Sequence, residues 1–143
     1  MKKFLILLFV ALFTLNAKSQ KPTNKEWNEL ILSIMYVESR FDATAVNANG
    51  DCVGIMQITP IVVKDCNEYL KMKGKNKKYT LQDRYNKEKS VEMFNLIQER
   101  YNPSRNIEKA IRIWNGGCRY SVKKTEKYYT NVIKEYKRRM SSI

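Results

Sequence analysis

The chain has 143 residues, 27 lysines and arginines against 14 aspartates and glutamates, three cysteines and no histidine. That length favours one domain. The missing histidine excludes Ser-His and Cys-His nucleophiles and deprives zinc of a usual ligand, while the formal charge of +13 points either to a solvated basic surface or to an anionic partner.

The N-terminal stretch reads as a leader rather than as fold. Lys2 and Lys3 precede an apolar run from Phe4 to Leu15, and Ala17-Lys18-Ser19 supplies a small-x-small cleavage site before Gln20. This is the pattern of a secretory signal peptide over residues 1–19, and the run is shorter than the ~20 residues of a membrane span. The expected domain is 20–143, exported to a periplasm or the extracellular envelope, with no stable membrane span and no nucleic-acid partner. Export places Cys52, Cys66 and Cys118 where disulfides can form; an odd number leaves one unpaired, and the sequence leaves the pairing open.

Thr23-Asn24-Lys25-Glu26 has the spacing of a capping box and opens the first helix. Trp27, Leu30, Ile31, Ile34, Val37 and Phe41 then recur at helical spacing, so Trp27 and Phe41 are expected in the core. Glu38 falls inside this apolar stripe. A carboxyl placed there is expected to keep its proton to higher pH and so to serve as a general acid. The rival reading is a structural glutamate satisfied by an arginine or a backbone amide.

Asp42 to Gly50 is rich in turn formers, and Asp51 to Thr59 reads as a short extended segment or an irregular turn. Thr59-Pro60 looks like an N-cap with proline at the first helical position, opening a helix to about Lys71. Lys71 to Lys78 carries five lysines with Gly74 and Asn76, and is expected to be an exposed loop. Val91, Phe94, Ile97 and Tyr101 predict a helix over Ser90 to Tyr101, broken by Asn102-Pro103-Ser104. Ile107 to Trp114 gives the next, stopped by Gly116-Gly117. Tyr128, Tyr129, Val132, Ile133 and Tyr136 give the last, from Thr125. The expected class is mainly α, with at most a small irregular β segment.

Four ordered motifs carry a resemblance: Glu38-Ser39-Arg40-Phe41, Gly54-Ile55-Met56-Gln57, Trp114-Asn115-Gly116-Gly117 and Thr125-Glu126-Lys127-Tyr128-Tyr129. In this order they resemble the lytic transglycosylases of the soluble type, in the lysozyme-like superfamily related to goose-type lysozyme. The family pattern runs Glu-Ser-x-Phe, Gly-x-Met-Gln, Tyr-Asn-Ala-Gly and a tyrosine in the final helix, so Trp114 departs from it at the tyrosine position, and Gly117 extends the Asn-Gly ending with more backbone freedom.

The resemblance implies a lysozyme-like single domain that cleaves the MurNAc–GlcNAc β-1,4 bond of peptidoglycan to a 1,6-anhydro product, without a cofactor or metal. It makes Glu38 the acid and base. Ser39, Met56, Gln57, Trp114, Asn115 and Tyr129 would serve the substrate or the acid, with Tyr129 preferred to Tyr128. For Met56 the alternative is core filling, and for Asn115 a helix-end cap. Two other functions stay open: a hydrolytic muramidase using Asp42 or Asp51, and a non-catalytic glycan-binding or assembly protein of the envelope, its partner in any envelope complex being unknown.

Overall fold

The computed structural model describes residues 20–143, so the expected leader over 1–19 lies outside the described residues. Five helices follow: α1 (Asn24–Ser39), α2 (Pro60–Met72), α3 (Lys87–Tyr101), α4 (Ile107–Gly116) and α5 (Val122–Ser141), with a 3-10 turn over Leu81–Tyr85 before α3. The domain is mainly α, and its β content is two single antiparallel bridges, Val46 to Val53 and Val53 to Ile58.

Local chemistry sets most helix ends. The Thr23 hydroxyl accepts from the Glu26 N–H while the Glu26 carboxylate accepts from the Thr23 N–H, the reciprocal capping box expected for α1. Asn86 and Ser121 cap α3 and α5 earlier than the apolar spacing indicated, because capping side chains lie outside the periodic stripe that was read. Thr59 precedes Pro60 as expected, yet its hydroxyl makes no cap bond; the proline ring alone presets that entry.

The core gathers Leu30, Ile34 and Met35 from α1, Met93 and Phe94 from α3, Ile111 from α4 and Val132 from α5 around Met56 and Ile58 of the connecting loop. Helix α1 lies mainly against α5, α4 also packs on α5, and α2 packs on α3. Trp27 is in this core as expected, its ring nitrogen donating to Asn95 at 2.9 Å. Phe41 is not: it is 40% exposed. The helix stops at Ser39, and Arg40 and Phe41 both take left-handed backbone (φ 55° and 67°), which swings the Phe41 ring off the buried stripe.

The expected loop over Lys71–Lys78 is exposed and free of regular structure past the end of α2. The three cysteines are unpaired: Cys52 half-buried, Cys118 exposed, and Cys66 buried with its thiol against the Met93 carbonyl at 3.5 Å. Among the described residues no helix is long and apolar enough to cross a membrane.

Candidate active site

Glu38 sits in the last turn of α1, on the side facing α5. Burial of the carboxyl raises its pKa from 4.5 to about 7. One hydrogen bond works the other way: the Tyr128 hydroxyl donates to Glu38 Oε1 at 2.6 Å. Among the described residues no cation pairs with the carboxyl. The Tyr128 phenol is itself held far above its ordinary range, by burial first and then by the Glu38 charge, and so remains a donor.

The expected hydroxyl donor was Tyr129, and the structure corrects this by one residue. Thr125, Tyr128, Val132 and Glu135 lie at helical spacing on the inward face of α5. Tyr129 is turned about 100° away, where the Arg112 guanidinium lies 4.3 Å from the centre of its ring. Arg112 is itself buried, bridging Glu108 of α4 and Glu126 of α5 and donating to the Thr125 hydroxyl at 3.0 Å. The sequence carries two stripes here, Thr125-Tyr128-Val132 and Tyr129-Ile133-Tyr136, and only the packing of α5 selects Tyr128.

The loop after α1 is fixed on three sides. Ser39 Oγ donates to the Ile55 carbonyl at 2.8 Å and to Met35 O at 3.3 Å, so it ties the helix end to the loop and does not bond the Glu38 carboxyl. Gly54 has φ 80°, and a Cβ there would lie 2.0 Å from the Arg84 carbonyl oxygen; only glycine fits. The buried Arg84 side chain donates to the carbonyls of Asp51 (3.0 Å), Ile58 (3.1 Å) and Leu81 (2.8 Å), closing the loop from the 3-10 turn.

Gln57, in left-handed backbone (φ 52°), donates its side-chain amide to Gly54 O at 3.0 Å and Ala45 O at 3.2 Å. Trp114 Nε1 donates to the Met56 carbonyl at 3.2 Å, and the indole meets Phe94 edge-on at 5.1 Å.

Gln57, Trp114 and Asn115 line one cavity of about 550 Å³, together with Ile61, Ile97, Tyr101, Ile113 and Cys118. Its wall is largely apolar and aromatic, with the two amides and the charged Lys64, Asp65 and Glu68 also lining it, which suits the faces and hydroxyls of sugar rings. Asn115 is exposed there. Met56 is expected at the cleft but is 0% exposed: its side chain fills the core, and only its carbonyl serves the site, by holding Trp114. Glu38 is not among the residues lining this cavity; the loop from Gly54 to Gln57 joins the two, touching α1 through Ser39 and the cavity through Gln57.

Asp42 and Asp51 differ from Glu38 in being exposed. The Asp42 carboxylate accepts from the N–H and the hydroxyl of Thr44 at 2.8 and 2.7 Å, and these bonds hold its pKa down. It is exposed and occupied with its own turn. Asp51 is exposed, and its carbonyl is the part bound by Arg84. Two residues escaped the sequence reading. Arg84 left no signal, since a buried arginine satisfied only by carbonyls has no motif. Cys52 lies near enough to Glu38 for that carboxylate, after burial, to help raise its thiol pKa. Among the described residues no group of three or more His, Cys, Asp or Glu side chains is placed to hold a metal ion.

A carboxyl with a raised pKa and a ring-lined hollow, tied to one loop, thus lie within a mainly helical, lysozyme-like domain. The family model described as the transglycosylase SLT domain matches residues 15–137, so the chain belongs to that family and is a peptidoglycan lytic transglycosylase, a lyase of the lysozyme-like superfamily. No curated protein and no solved structure matches it significantly.

Proposed function

We propose that the chain cleaves the MurNAc–GlcNAc β-1,4 bond of peptidoglycan without water, with Glu38 as the only acid and base. The neutral Glu38 carboxyl gives its proton to the bridging oxygen, and the bond from that oxygen to C1 breaks. The substrate's own N-acetyl oxygen supports the positive charge left at C1, a substrate-assisted scheme that needs no second carboxylate. Glu38, now an anion steadied by the Tyr128 hydroxyl, takes the proton of the sugar's 6-hydroxyl as that oxygen closes on C1. The products are a 1,6-anhydro end and a free 4-hydroxyl, and Glu38 leaves the cycle protonated as it entered.

The observation that carries this reading is the carboxyl itself: half-buried, without an ion-pair partner among the described residues, its pKa raised to about 7, and supplied with one phenolic donor. Gln57, Trp114 and Asn115 are assigned to the sugar rings, and Ser39 to holding the loop. Residues 1–19 are assigned to export into the envelope, so the mature N-terminus is expected at Gln20.

Mass analysis of products from purified peptidoglycan tests the chemistry. Anhydro ends are expected, each one water lighter than a reducing end, and reducing ends alone would assign hydrolysis instead. Glu38→Gln is expected to lower turnover by at least ~100-fold, with the helical circular dichroism unchanged.

A further inference from the structure

The mechanism leaves the lysines of the 71–78 loop unused. A charge run is ordinarily a solvated surface, but this one is built. Gly74 (φ 68°) lets the chain turn back after α2, its N–H reaching Lys71 O at 3.0 Å while the Lys75 N–H reaches Leu70 O at 2.9 Å. Further on, the Asn67 side chain pairs with both backbone groups of Tyr79, at 2.9 and 2.8 Å. The Tyr79 ring is buried and its hydroxyl donates to Glu92 at 2.7 Å.

This loop, so anchored, borders an open cavity of about 640 Å³. Pro60, Val63 and Leu81 give it apolar wall, and lysines 64, 71, 75, 77 and 78 stand around it. Lys77 is paired with Glu92, and Lys64 lies 3.9 Å from Glu68. Lys71, Lys75 and Lys78 are exposed and have no ion pair among the described residues. The groove therefore carries uncompensated positive charge beside an apolar wall, which suits an acidic peptide chain.

Its position adds a direction. Ile61, Lys64, Glu68 and Lys71 follow one another at helical spacing along a face of α2. The first three line the cavity of Trp114 and Asn115, and the last three line the lysine cavity. From Ile61 to Lys71 the helix rises ~15 Å, the span of four or five residues of extended chain.

We propose that the lysine cavity binds the acidic peptide stem of the glycan strand whose sugars occupy the neighbouring cavity, with stem carboxylates at Lys71, Lys75 and Lys78. The inference rests on the glycan-cleaving reading above, and it makes the substrate a peptide-bearing strand.

The test is binding of a synthetic stem tetrapeptide with free carboxylates, measured by calorimetry in low salt beside the same peptide with its carboxylates amidated. Wild type is expected to bind the free-acid peptide at least ~10-fold more tightly, since several charge-assisted contacts are lost on amidation. Combining Lys71→Glu, Lys75→Glu and Lys78→Glu should remove that preference, as should glutamine at the same three positions, while Glu38→Gln leaves it intact. Equal affinity for the two peptides overturns the proposal, as does undiminished binding by the lysine variants. Lysine-dependent binding to phosphatidylglycerol vesicles without peptide binding also overturns it and assigns the face to a membrane surface. Because the readout needs no turnover, peptide binding with no strand cleavage would sink the catalytic reading alone, and anhydro products with no peptide binding would sink this one alone.

Discussion

At Glu38, burial and a phenol act in opposite directions on one proton. Burial dominates and brings the pKa to about 7, while the Tyr128 hydrogen bond favours the anion. Replacing Tyr128 with phenylalanine removes the stabiliser of the charged form, so the carboxyl should hold its proton to still higher pH. The alkaline limb of the pH–rate profile is expected to move upward by roughly half a unit to one unit, with turnover reduced about 10-fold for want of support to the anion. Tyr129→Phe should leave the limb in place, because Tyr129 faces Arg112. A profile unmoved by Tyr128→Phe, or moved equally by both changes, would count against this assignment.

Among the structural elements, the loop between α1 and α2 is the least regular and the most constrained. Gly54→Ala would combine left-handed strain with a clash against the Arg84 carbonyl. The expected cost is about 2–4 kcal/mol, read as a lower urea midpoint. Arg84→Met should cost about 2–3 kcal/mol through carbonyls left unpaired, without touching Glu38 directly.

The contrast with the helices explains what the sequence could reveal. The α1 capping box, the Pro60 entry and the apolar stripes are short-range patterns, and they announced all five helices and the inward position of Glu38. Arg84 acts on Asp51 and Ile58 from more than 25 positions away. The choice between Tyr128 and Tyr129 depends on the neighbour that α5 faces. Phe41 left the core through two left-handed residues in succession, Arg40 and Phe41 itself, and neither is a glycine that would advertise the turn.

For the molecule as a whole, the acid makes stability depend on pH in a definite sense. Folded Glu38 titrates at about 7 and an unfolded chain near 4.5, so between those values the native state binds more protons than the unfolded one. The stability from keeping Glu38 neutral is complete below about 4.5 and is lost as pH rises through about 7. Glu38→Gln removes this dependence. It should be close to wild type in urea unfolding at pH 4.5 and more stable at pH 8, by on the order of 1–3 kcal/mol. A variant that is less stable at both pH values would show the carboxyl to be a structural group. A variant more stable at pH 8 and inactive would instead show the side chain to be a liability to the fold and a necessity to turnover, a common arrangement where a fold must accommodate chemistry.

The unpaired cysteines give the molecule a built-in reporter. Burial pushes the Cys66 thiol up to about 12 and raises that of Cys52 as well, so neither readily offers the reactive thiolate. Cys118 is exposed at the edge of the cavity that holds Trp114 and Asn115. A maleimide dye would settle on that sulfur first, and its emission would report whether glycan enters that cavity, with no foreign residue introduced.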